Sequence, residues 1–115
     1  MKRSLIVTSI AALGLSFAAF SAIADIPDPA TIAAAKTPAD HEAIAKAYES
    51  EAASLEKMAS MHKSLGATYA QPGGKPWQAG QAKHCDSVAS DLAKAAKEER
   101  ALAAEHHKLA TTAGQ

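Results

Sequence analysis

Gln71-Pro72-Gly73-Gly74-Lys75-Pro76 divides the chain into two helical stretches, and its reading decides the fold. Proline cannot continue a helix and glycine readily ends one, so this run is a turn. Upstream, seam residues recur in steps of three and four: His41, Ile44, Tyr48, Glu51, Leu55, Met58, then His62, Leu65 and Tyr69. Downstream the same steps run through Cys85, Val88, Leu92, Ala95, Glu99 and Leu102 to His106 and Leu109. Each seam spans about four heptads, the period of a helix that packs along one stripe. No strand alternation interrupts them. The expected fold is all-α, a long antiparallel helical hairpin.

The helix ends are written in the flanking residues. Thr37-Pro38-Ala39-Asp40 places Thr37 at an N-cap, with Asp40 near the capping-box position. The helix it opens should end near Ala70. Pro76 restarts the chain as a first-turn proline, and the second helix should fray near Thr111 to Gly114. Asp28-Pro29 starts a short helix, Ala30 to Lys36, which Pro38 stops. This short helix is expected to fold against the hairpin.

Residues 1–24 read as a secretory leader. Lys2 and Arg3 are its positive start, Leu5 to Phe20 its apolar run, and Ala22-Ile23-Ala24 its cleavage site. The organisation is then leader 1–24, short helix and linker 25–37, and hairpin domain 38–115. A periplasmic or secreted protein is expected, without membrane insertion once the leader is removed. With Lys2 and Arg3 gone, 10 basic and 12 acidic side chains remain. Such a balance makes no strong field for nucleic acid or anionic lipid.

After the leader the chain holds nine Leu, Ile or Val residues, no Phe, and 24 Ala. Alanine favours helix and close helix approach, but each one buries little area. A lone hairpin of this composition is marginal, so two copies are expected to pair as a homodimeric four-helix bundle. The alanine stripe Ala89, Ala96, Ala103, Ala110 offers a close-packing face for that pairing.

The chemistry lies in two matched intervals. His41 and His62 are 21 residues apart, and so are Cys85 and His106. In an antiparallel hairpin, opposed positions share one index sum. The sum is 147 for His41 with His106 and 147 for His62 with Cys85. One register therefore joins His to His at one end and His to Cys at the other. The same register pairs Leu55 with Leu92, Met58 with Ala89, and Tyr48 with Glu99, the last as a hydrogen bond.

Cys85, His62, His106 and His41 are the candidate metal ligands, with Met58 one turn before His62 as a thioether donor. Thiolate, imidazole and thioether together suit copper, Cu(I) above all. Thiolate and imidazole alone also suit zinc, and a His and a Met could ligate a b-type haem. His84 and His107 stand beside the two clusters. Against this stand ordinary explanations. Met58 fills a core, Cys85 is a small hydrophobe, and His106 and His107 favour a helix C-terminus. Glu51 and Glu99 on the seams are read as snorkelling to water.

No nucleophile elbow, phosphate loop or zinc-protease motif is present, so no enzyme is expected. The leading expectation is a small exported copper-binding protein for sequestration, delivery or electron transfer. The alternative is a metal-free helical-hairpin module of the cell envelope. In a dimer, a two-fold axis perpendicular to the helices would give two sites of three His and one Cys each. An axis parallel to them would bring like ends together instead.

Overall fold

The computed structural model describes residues 26–113. The leader assigned to residues 1–24 lies outside them. Three helices follow one another: α1 (Pro29–Ala34), α2 (Pro38–Tyr69) and α3 (Pro76–Thr112). No strand occurs among the described residues. α2 and α3 pack side by side over their lengths as an antiparallel hairpin.

The caps explain where the helices begin. Asp28 accepts a hydrogen bond from the Thr31 N–H at 2.8 Å and starts α1. Thr37 and Asp40 form a complete capping box at the start of α2. Asp40 also accepts the Lys36 N–H at 3.0 Å. These bonds hold its carboxyl below the usual carboxylate range. They also explain why α1 ends at Ala34 and not at Lys36. The Lys36 and Thr37 N–H groups belong to the cap of α2, so they cannot extend α1. Between α2 and α3 the chain turns through Gly73, whose φ of +80° is left-handed and suits glycine.

The 147 register holds at the open end of the hairpin, where His41 touches His106. Tyr69 meets Trp77 edge-on beside the turn, with ring centroids 6.3 Å apart.

The inner seam differs from the expected one by a rotation. His41, Tyr48, Leu55, His62 and Tyr69 keep their seam positions, all buried or half-buried. Their companions are Ala45, Ala52, Ala59 and Gly66, not Glu51, Met58 and Leu65. Ala45 and Ala52 are 0% exposed. On α3 the companions are Ala82, Ala89, Ala96, Ala103 and Ala110. Both rows repeat every seven residues. Small side chains let the backbones approach, and at Gly66 an added Cβ would lie 3.4 Å from the Ala82 carbonyl oxygen. The alanine stripe expected to join two copies thus joins the two helices of one chain. With the rotation Met58 stands 43% exposed, on the flank beside the seam and not within it.

The two flanks of the seam differ in chemistry. On one side Glu42, Glu49 and Glu56, seven apart on α2, face Arg100 and His107, seven apart on α3. The other side therefore carries the row Ile44, Glu51, Met58, Leu65 of α2 and the row Val88, Ala95, Leu102, Leu109 of α3. Ile44 is covered, packed with Tyr48 and Ala103 under Ala35. The large apolar side chains beyond it on this side are open to solvent. α1 lies against the start of α2 only loosely: none of its residues is buried, and Ala35, which follows it, packs on the core.

Candidate functional site

The hairpin holds three polar layers along its seam. At the open end, His41 Nδ1 and His106 Nδ1 lie 3.1 Å apart, with ring centroids 5.4 Å apart. The Tyr48 ring covers His106 at 5.8 Å. Two protonated imidazoles could not share this distance. When both are neutral, one N–H donates to the other ring's bare nitrogen. Burial first, and the nearness of His41 second, push the His106 pKa below its ordinary value. His106 is thereby held in the neutral form, which is the form that ligates metals.

His107 belongs to different chemistry. Its Nδ1 lies 2.9 Å from Glu42 and its Nε2 lies 2.8 Å from Glu49. With a carboxylate at each nitrogen it donates two hydrogen bonds as imidazolium. These bonds, that of Glu49 first, raise its pKa. It closes the ion-paired flank and leaves no nitrogen for a metal.

The middle layer contains Glu51 and Glu99. Each has its Oε2 buried without a hydrogen-bond partner. The reading that both snorkel to water is thus corrected: one oxygen of each is sealed. Burial, then the charge of Glu51, push the Glu99 pKa up. The expected Tyr48–Glu99 hydrogen bond is absent: Glu99 Oε2 has no partner, and the Tyr48 ring lies against His106.

The loop-end layer contains His62 and Cys85. His62 Nδ1 is buried with no partner. Cys85 is a free, half-buried thiol, and its Cβ abuts Gly66. The glycine keeps α2 close to the cysteine. No hydrogen bond joins His62 to Cys85. Met58 lies on the apolar flank of this layer and His84 is exposed.

At 1.5 Å per residue the two end layers are about 31 Å apart, so one hairpin cannot bring all four ligands to one ion. Among the described residues, no group of three or more His, Cys, Asp or Glu side chains converges as a metal site. The structure brings His41 and His106 together, sets His62 and Cys85 on facing seams, and leaves Met58 at the side. The ion-paired flank went unread in the sequence, although the seven-residue spacing of Glu42, Glu49 and Glu56 signalled it.

No family model matches the chain, and no curated protein or solved structure matches it.

Proposed function

We propose that this is a small exported metal-binding protein, with copper as its metal, serving sequestration, delivery or electron transfer. One observation carries the reading: the 3.1 Å approach of the His41 and His106 Nδ1 atoms. Two nitrogens bound to one tetrahedral ion at about 2.0–2.1 Å lie about 3.3 Å apart. The pair is therefore already spaced as two adjacent ligands would be, and the proton between the two nitrogens would move to an Nε2 on binding. The depressed pKa of His106 favours the neutral imidazole, the form that ligates metals. The thiol of Cys85 and the unpartnered nitrogen of His62 supply further donors of the kind that Cu(I) takes, and zinc is the competing ion for the same set.

Export rests on the charged start, the apolar run and Ala22-Ile23-Ala24. Mass spectrometry of the native protein should find Asp25 as its first residue, and an intact Met1 refutes export. Elemental analysis of protein purified from the periplasm should find copper, lost in His106→Ala. A protein that carries no metal, and takes up none in titration with Cu(I), refutes the metal reading.

A second reading is a metal-free interaction module. It is favoured by the exposed apolar flank. That module would bind its partner equally well after His41→Ala and His106→Ala.

A further inference from the structure

The ligand set of the proposed metal site is incomplete within one chain, and the apolar flank of the hairpin faces water. We infer that a second copy docks on this flank about a two-fold axis perpendicular to the helices, so that His41 and His106 complete a site with the partner's His62 and the partner's Cys85. The inference rests on the metal reading for its ligand chemistry, but the docking stands on separate observations.

The first is what the hairpin leaves open. Met58, Leu65, Val88, Leu102 and Leu109 are each between 39% and 45% exposed. All five lie on the flank opposite the ion pairs. No large side chain of the described chain is fully buried. Covering this flank would bury apolar surface that the lone hairpin leaves in water.

The second is area. α2 has 32 residues and is about 48 Å long, and two helices side by side are about 20 Å wide. One such face is about 960 Å², enough for the roughly 800 Å² per partner of a stable interface.

The third is register. The metal chemistry alone places the axis midway between the levels of His41 and His62. This is the level of Glu51 on α2 and Ala95 on α3. The same axis sets the level of Met58 and Val88 against the partner level of Ile44 and Leu102. It also sets Leu65 against the partner level of Leu109. An axis chosen by the ligands thus matches apolar to apolar at every other layer of the flank, within a residue. Ala95, the smallest side chain of its row, falls on the axis, where two copies of α3 must pass closest. Glu51 of each chain falls at this level too, with one carboxylate oxygen already buried in its own hairpin. An axis parallel to the helices instead sets Ala95 against the partner's Glu51.

Two experiments separate the docking from the metal. In a Cys85→Ala background, Ala95→Cys should give a disulfide-linked dimer on oxidation with diamide, and Ala93→Cys on the ion-paired flank should not. A monomeric Ala95→Cys protein, or equal linking of both variants, overturns the docking even if wild-type protein binds copper. The metal arm mixes His106→Ala chains with Cys85→Ala chains after unfolding and joint refolding. Each homodimer has two damaged sites. Each mixed dimer has one intact site, because the two lesions fall together in the other. Random pairing should restore about one quarter of the wild-type Cu(I) binding. No recovery, with copper still bound by wild type, overturns the shared site and leaves the His41–His106 pair as a single-chain site. Linking at Ala95 in a protein that takes up no copper keeps the docking, overturns the shared site and refutes the metal reading.

Discussion

His41 and His106 face each other Nδ1 to Nδ1 at 3.1 Å, the closest polar contact made across the inner seam of the hairpin. His107, the next residue, turns to the opposite chemistry between Glu42 and Glu49. Adjacent histidines of one helix thus have their pKa values moved in opposite directions, because a step of one residue moves a side chain by about 100° around the helix.

Their pH dependences should have opposite signs. The folded pKa of His106 lies below its ordinary value of 6.5. The unfolded chain then takes up the proton first, so the stability from this residue is present above pH 6.5 and is lost as pH falls toward the folded value. For His107 the folded pKa is raised from 6.5. Its stabilisation is complete below pH 6.5 and is lost as pH rises through the folded value. Urea midpoints across this range should show His107→Gln less stable than wild type at pH 5, with the gap closing in alkali. A gap that widens with pH refutes the assignment.

Glu99 should be a liability at neutral pH. Its pKa is raised from 4.5, so the fold favours the protonated carboxyl. That preference stabilises the protein below pH 4.5 and is lost as pH rises through the folded value. Glu99→Gln should raise stability at pH 7 by about 1 kcal/mol, the scale of a stranded polar group, which is about 4–8 °C in melting temperature for a domain this size. Below pH 4.5 the difference should vanish. Thermal melts of both proteins at pH 7 and pH 4 decide this, and a destabilised variant at pH 7 refutes it.

The small-residue seam should not tolerate bulk. Ala52 is 0% exposed between the helices. Ala52→Leu should cost about 1–3 kcal/mol by overpacking. Ala53→Leu, one residue away and exposed, should cost little. Equal losses in denaturant unfolding would mean that the seam is misplaced.

Arg100 and Glu56 form a two-pronged ion pair, with both N–O distances 2.8 Å, but each side chain is about half exposed. Arg100→Ala should therefore cost under about 1 kcal/mol, and less in high salt. A loss above about 2 kcal/mol, insensitive to salt, would show that the ion-paired flank is buried.

The pattern of Pro, Gly and cap residues settled the helices without any tertiary information. Thr37 with Asp40, Pro76 and Gly73 act on their own neighbours, so local chemistry decides where α2 and α3 begin and turn. The antiparallel register was also legible, because a single index sum accounts for the meeting of His41 with His106. Which stripe of each helix forms the inner seam was not. Two stripes compete, one carrying Glu51, Met58 and Leu65, the other Ala52, Ala59 and Gly66, and they differ by one residue. Hydrophobicity favours the first. Close backbone approach favours the second, and that gain exists only when two helices are present to approach. The same rotation decided the site. It sealed an oxygen of Glu99 and set Met58 outside. It also assigned His106 to a buried pair and His107 to two carboxylates. A helical repeat lists which residues share a row, but only the packed pair of helices determines which row faces inward.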